Sequence, residues 1–160
     1  MDTSRGGVDI RSRRVARPRY LDESCAKAIG PACLFANNSY PYVETPVFVI
    51  QATTDKVVLT CHDQVPDERP DWSPVVTDYL QQWHDNMTAG LAPILADDSP
   101  DGAFAVACFI HTSFPTDGGG PLIDGQNFVT TFGNWYFGRE GPSTLIDDCG
   151  IMCNPTCPDN

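Results

Sequence analysis

Two short, almost entirely apolar stretches occur along the chain, and each predicts a buried β-strand. The first, residues 46–52, opens with a proline and is rich in β-branched side chains. The second, residues 103–110, leads directly into His111. Apolar runs of this length are typical of strands that are buried on both faces of a parallel sheet. We therefore expect a strand at each place, the second one ending at the histidine.

Two other segments carry apolar residues at helical spacing. Ser73 and Pro74 offer an N-cap and a first-turn proline, and apolar positions then recur with a helical period as far as Gly90. A second amphipathic pattern covers residues 128–136, and Gly138 can end that helix. Strands and helices therefore alternate, which predicts an α/β domain with a parallel sheet. Because two strands leave both edges of a sheet open, we expect further strands outside this chain.

The overall composition is that of a globular protein with an acidic body. The 160 residues are 41% hydrophobic and 19% charged, and no apolar run approaches the ~18 residues of a membrane span. Residues 1–20 hold six arginines against two aspartates and lack hydrophobic periodicity, which predicts a flexible basic arm. Since the whole chain carries −11, residues 21–160 are strongly negative. Such a body repels phosphate backbones, so we expect no nucleic acid partner.

Seven cysteines are many for a cytosolic protein, and three of them lie within the last twelve residues. We expect disulfides and therefore secretion into an oxidising compartment. Cys25 and Cys33 favour a local disulfide between short helical turns, and the odd count leaves one thiol free or paired outside the chain. Glycosylation sequons at Asn37 and Asn86 agree with secretion. Because residues 1–20 do not contain the apolar core of a signal peptide, we expect the natural beginning of the protein to lie upstream.

The C-terminal cysteines also suggest a competing interpretation, a zinc site. Cys149, Cys153 and Cys157 recur every four residues, which is unlike the tighter pairs of common zinc modules, and no histidine follows them. We therefore favour disulfides, with no metal and no other cofactor.

The candidate chemistry lies after the two predicted strands, where Asp55 and His111 stand. Functional groups of open α/β sheets collect at the carboxyl ends of strands. An aspartate after one strand and a histidine after a later one is the arrangement of α/β hydrolases, whose triad also needs a serine. The nearest approach to the Gly-x-Ser-x-Gly nucleophile pattern, residues 141–145, lacks the second glycine. The alternative is that both residues are structural. His62 and His84 are predicted to be surface groups.

Five segments, taken in chain order, resemble the pectin acetylesterase and Notum carboxylesterase family. They are residues 24–35 with paired cysteines, 44–55 with the Thr-Pro strand, 107–111 with Cys-Phe-Ile-His, 133–139 with Trp-Tyr-Phe, and the tail 148–158 with Cys-Asn-Pro-Thr-Cys. The resemblance implies that residues 21–160 are the C-terminal half of an α/β-hydrolase-like domain with a cysteine-rich tail. It also implies that Asp55 and His111 are catalytic and that the nucleophilic serine belongs to a missing N-terminal half.

The function that this resemblance implies is that of a secreted serine carboxylesterase. Its substrate would be O-acetyl esters of a pectin-like cell-wall polysaccharide, and the isolated chain would be inactive because the nucleophile is absent. The alternative is a non-catalytic extracellular binding module that retains only the disulfide framework. The disulfide candidates are Cys25, Cys33, Cys108, Cys149, Cys153 and Cys157.

Overall fold

A computed structural model describes residues 21–67, 72–112, 114 and 119–158. The chain divides into two compact units, Met1–Glu44 and Thr45–Asn160. The predicted basic arm, residues 1–20, lies outside the described residues. No helix in the described part is both long enough and apolar enough to cross a bilayer.

The described part of the first unit, residues 21–44, consists of short helices and turns, in agreement with the expected short helical turns around Cys25 and Cys33. The Asp22 carboxylate caps the first helix by accepting a hydrogen bond from the Cys25 N–H at 2.9 Å. Gly30, with φ of 64°, ends that helix, because a left-handed backbone costs glycine little. Cys25 and Cys33 are both buried and form a disulfide. The elements are α1 (Glu23–Ile29), a 3₁₀ helix (Gly30–Leu34), α2 (Ala36–Ser39) and a second 3₁₀ helix (Tyr40–Tyr42).

The second unit is built on three parallel strands, β1 (Phe48–Ala52), β2 (Gly102–Val106) and β3 (Thr144–Ile146). Their spatial order is β1-β2-β3. The predicted α/β class with parallel strands is therefore confirmed. The short strand β3 is absent from the sequence prediction, because three residues after a Gly-Pro pair give no readable alternation.

Burial differs between the two predicted strands. All five residues of β2 are buried, whereas β1 is mostly half-buried and Ile50 is 39% exposed. The expectation that β1 is buried on both faces is therefore wrong for this chain. Among the described residues β1 pairs only with β2, so one of its edges is unpaired.

Strand β2 is shorter than predicted. It ends at Val106, five residues before His111, and the Cys108 N–H then donates to the Val106 carbonyl at 3.0 Å as the chain turns. The expectation that the strand runs directly into the histidine is therefore wrong. Residues 107–110 are nevertheless at most 5% exposed, so their apolar character reflects burial beyond the sheet.

Both predicted helices are confirmed, with their caps. Helix α3 (Pro74–Gly90) begins after Ser73, whose hydroxyl accepts from the Val76 N–H at 3.4 Å. Helix α4 (Phe128–Phe137) ends at Gly138, which has a left-handed backbone. Helix α4 packs against all three strands. A further turn between β1 and α3 is a π-helix (Val58–His62).

Two apolar clusters form the core of the second unit. The larger one joins strand residues to the segment after β2 and to the tail, and its buried members are Ala52, Phe104, Val106, Cys108, Ile110, Ile123 and Cys157. The other gathers around the π-helix and α3, and its buried members are Leu59, Val65, Leu80 and Phe109. The segment that precedes His111 therefore contributes to both clusters.

The C-terminal tail is held by two disulfides. Cys108 bonds to Cys157, and Cys149 bonds to Cys153. The zinc interpretation is therefore wrong, because all three tail sulfurs are in disulfides. Cys61 is exposed and is the free cysteine of the described residues.

Candidate active site

Asp55 follows the carboxyl end of β1, and buried threonines hold the chain just before it. The Thr53 N–H continues the strand pairing by donating to the Val106 carbonyl at 2.9 Å. The Thr54 hydroxyl donates to the Cys108 carbonyl, also at 2.9 Å. Both threonine side chains are fully buried. These bonds fix the end of β1 to the segment that leads towards His111.

The Asp55 carboxylate also begins the turn that follows it. Its Oδ1 accepts a hydrogen bond from the Val58 N–H at 3.0 Å, while the Asp55 carbonyl accepts from the Leu59 N–H. The Asp55 side chain is only 7% exposed. An ionised carboxylate is tolerated at such a buried place when donors surround it.

His111 is the side chain that completes the arrangement. Its Nδ1 lies 2.8 Å from Oδ2 and 3.0 Å from Oδ1 of Asp55. Because an ionised carboxylate only accepts hydrogen bonds, Nδ1 carries the proton, and Nε2 of the neutral ring is an acceptor. The Lys56 N–H donates to the Ile110 carbonyl at 3.1 Å, which links the backbone beside both residues. The His111 side chain is 45% exposed, so the imidazole is open to a reacting group.

This geometry is suited to general-base chemistry. A buried carboxylate that accepts from Nδ1 fixes one tautomer of the imidazole and stabilises its cation after proton uptake at Nε2. Within the described residues, Asp55 is the only hydrogen-bond partner of His111. The structure thus brings together the two residues that the sequence singled out.

Ser143, from the partial nucleophile pattern, does not belong to this site. Its carbonyl accepts from the Ala103 N–H, which places it at the beginning of β3 and beside the beginning of β2. Asp55 follows the opposite, carboxyl end of the parallel sheet. Each strand residue adds about 3.3 Å, so the length of β2 separates the two side chains.

The other two histidines, His62 and His84, differ in their burial. His62 is exposed, as predicted. His84 is only 5% exposed, so its prediction as a surface group is wrong. It lies one helical turn after the fully buried Leu80 and therefore on the buried side of α3, although its polarity suggested the outer side. The sequon residues Asn37 and Asn86 are both exposed.

The sequence analysis missed Gln51, which lies close to the candidate pair. Its Nε2 is 3.4 Å from Oδ2 of Asp55 and donates to the Ala52 carbonyl at 2.9 Å. A signal was available, because Gln51 is the single polar residue in the apolar run 46–52. A polar residue one position before the end of a strand can reach the loop that carries a functional group.

The parallel sheet, with an acid and an imidazole in contact beyond its carboxyl edge, defines an α/β protein with an Asp–His pair. A sequence model of the pectinacetylesterase family matches residues 11–158. Pectin acetylesterase 7 of Arabidopsis thaliana is 28% identical over 157 residues, an alignment that covers 86% of this chain and 39% of the relative. The chain belongs to the pectinacetylesterase family. It spans well under half the length of this curated relative.

Proposed function

We propose that this chain supplies the acid and the base of a serine carboxylesterase active site. In this proposal His111 is the general base and Asp55 is the acid that orients it. The contact between Nδ1 of His111 and the Asp55 carboxylate, at 2.8 Å, is the observation that carries the proposal. Membership of the pectinacetylesterase family supports it, because that family name describes hydrolysis of an acetyl ester.

The proposed reaction proceeds through an acyl-enzyme. Nε2 of His111 takes the proton of a serine hydroxyl while the serine oxygen bonds to the ester carbonyl carbon. The imidazolium then returns that proton to the alcohol oxygen as the ester bond breaks. A water molecule repeats the sequence on the acyl-enzyme, and acetate leaves while the serine recovers its proton. The Asp55 carboxylate stabilises the imidazolium in both halves.

The serine is proposed to come from a segment of the complete enzyme outside these 160 residues, with this chain as its C-terminal half. The coverage of the Arabidopsis relative supports this arrangement, because the chain aligns with 39% of that protein. Loss of a triad serine costs on the order of a million-fold in turnover, so the isolated chain is expected to be inactive.

The proposed substrates are O-acetyl esters of a pectin-like polysaccharide. The name of the Arabidopsis relative supports pectin as the acetylated polymer. The three disulfides support an extracellular location, where such a polymer occurs.

A chimera tests the proposal. This chain would replace the matching segment of the Arabidopsis relative, and acetate release from acetylated pectin would be measured. His111→Ala and Asp55→Asn should each lower kcat by about 10⁴-fold, because the base or its tautomer is lost. His62→Ala and Asp85→Asn are matched controls at exposed positions and should leave the rate unchanged. Full activity in either site variant would contradict the proposal. An unmodified chimera that folds but releases no acetate would favour a non-catalytic module.

A further inference from the structure

We propose that Gln51 is a positioning residue for Asp55, and through it for His111. This inference rests on the proposed function. Gln51 lies in β1, four residues before Asp55, and its amide group reaches the Asp55 carboxylate across the end of the strand.

The contacts of Gln51 determine which way its amide faces. The amide end near Asp55 meets two acceptors, the Ala52 carbonyl at 2.9 Å and Oδ2 of Asp55 at 3.4 Å. An amide oxygen at that place would face two other oxygens, whereas the NH₂ group has one N–H for each of them. The Gln51 amide is therefore a donor to the carboxylate and is itself held by the main chain.

The carboxylate uses its two oxygens differently. Oδ1 accepts from the main-chain N–H of Val58, whereas Oδ2 accepts from the Gln51 side chain and makes the shorter contact with His111. If the Val58 N–H were the only donor, the Asp55 carboxylate could rotate about that hydrogen bond and Oδ2 would change its position. The hydrogen bond from Gln51 restricts this rotation and so fixes the direction in which the His111 Nδ1–H donates. Because Asp55 is 7% exposed, bulk water has little access to replace a lost donor.

The chain contains a matched control for this interaction. Gln81 and Asp85 are also four residues apart, and the Gln81 Nε2 donates to Oδ1 of Asp85 at 2.8 Å. That pair lies at an exposed site on α3, whereas Gln51 lies in β1. Substitution of Gln81 therefore controls for the loss of an amide donor four residues before an aspartate.

The test is NMR of the His111 ring in the 160-residue chain, with Gln51→Met and Gln81→Met compared. In the unmodified chain we expect a downfield Nδ1–H proton and ring nitrogen shifts of the Nδ1–H tautomer. Gln51→Met should move the proton shift and the ring nitrogen shifts towards the values of free imidazole, and Gln81→Met should leave them unchanged. Gln51→Leu also removes the donor without adding a charge, so it should act in the same direction if Gln51→Met does not fold.

Failure of this inference is distinguishable from failure of the proposed function. Unchanged His111 signals in folded Gln51→Met would overturn the positioning role and leave the acid–base pair intact. Unchanged His111 signals in Asp55→Asn would instead show that Asp55 does not bind His111, which would overturn the esterase proposal itself. In the active chimera, Gln51→Met should lower kcat by about tenfold with KM unchanged, the effect of one hydrogen bond to a charged group.

Discussion

The Thr54 hydroxyl donates a buried hydrogen bond to the Cys108 carbonyl at 2.9 Å, and this bond joins the two segments that carry the candidate site. Thr54 directly precedes Asp55, and Cys108 lies three residues before His111. Cys108 is in turn bonded to Cys157 in the tail. The acid and the imidazole are therefore held in contact by a hydroxyl and a disulfide as well as by their own hydrogen bond.

Thr54→Val is expected to destabilise the fold by about 1–3 kcal/mol, because the Cys108 carbonyl would be left buried without this donor. Urea unfolding measures the change as a lower midpoint. Thr77→Val is the control, since the Thr77 hydroxyl bonds the Ser73 carbonyl at an exposed site and should contribute little. Equal effects of the two substitutions would contradict the importance of the Thr54 bond.

The two tail disulfides are expected to differ in their contribution to stability. Cys108–Cys157 spans 49 residues, and Cys149–Cys153 spans four. In the chain-entropy description, their removal costs about 4 and about 2 kcal/mol, because the longer loop restricts the unfolded chain more. Paired cysteine-to-alanine variants measured by urea unfolding under non-reducing conditions test this order. A larger loss on removing Cys149–Cys153 would contradict it.

The helices and the parallel α/β class of this fold could be predicted from sequence, whereas the limits and number of the strands could not. Helices α3 and α4 are specified by nearby caps, Ser73 before one and Gly138 after the other. The end of β2 depends on where its pairing with β1 stops. A buried segment such as residues 107–110 is apolar whether or not it forms a strand, so its sequence does not reveal that end. Strand β3 exists because β2 offers it a partner.

In the candidate site, one contact between distant residues could be anticipated from the sequence, whereas other features could not. The contact between Asp55 and His111 could be anticipated, since both follow parallel strands whose carboxyl ends share one edge. The contribution of Gln51 depends on side-chain reach across a turn, which no spacing rule specifies. The burial of His84 depends on which side of α3 packs against the protein, and its polarity pointed to the wrong side.

Tyr79 provides a pH-dependent prediction outside the site. Its hydroxyl donates to Oδ2 of Asp63 at 2.9 Å, and this hydrogen bond raises the pKa of the Tyr79 phenol above its ordinary value. The neutral phenol is therefore favoured by folding. The Tyr79–Asp63 hydrogen bond therefore contributes fully to stability below the ordinary tyrosine pKa. This contribution is lost as pH rises through the higher pKa that Tyr79 has in the folded protein.

Asp63→Ala should lower the pKa of Tyr79, because the acceptor of the phenol proton is removed. Difference titration of phenolate absorbance against the unmodified chain measures this. Asp85→Ala removes an exposed carboxylate of α3 and serves as the control for a change in net charge. A Tyr79 titration that is the same in all three proteins would contradict the prediction.

The sequon at Asn86 is expected to carry a glycan when the chain is directed through a secretory pathway. Asn86 is exposed on α3, whereas the hydroxyl of Thr88 is buried and has no hydrogen-bond partner in the described part of the chain. A glycosylation sequon requires a hydroxyl at that position, and valine has nearly the same shape without one. Thr88→Val should therefore abolish the glycan without loss of folding stability.

Peptide mass mapping before and after enzymatic deglycosylation measures the modification. Asn86→Gln should also remove it, and Thr88→Ser should retain it because the serine preserves the sequon. Asn37, exposed in the first unit, is the second expected acceptor and responds independently to Asn37→Gln. An unmodified Asn86 peptide from secreted protein would contradict the prediction. A stability loss in bacterially produced Thr88→Val would show that the buried hydroxyl has a structural partner. A water molecule shared with Nδ1 of His84, which is also buried without a partner among the described residues, would be one such partner.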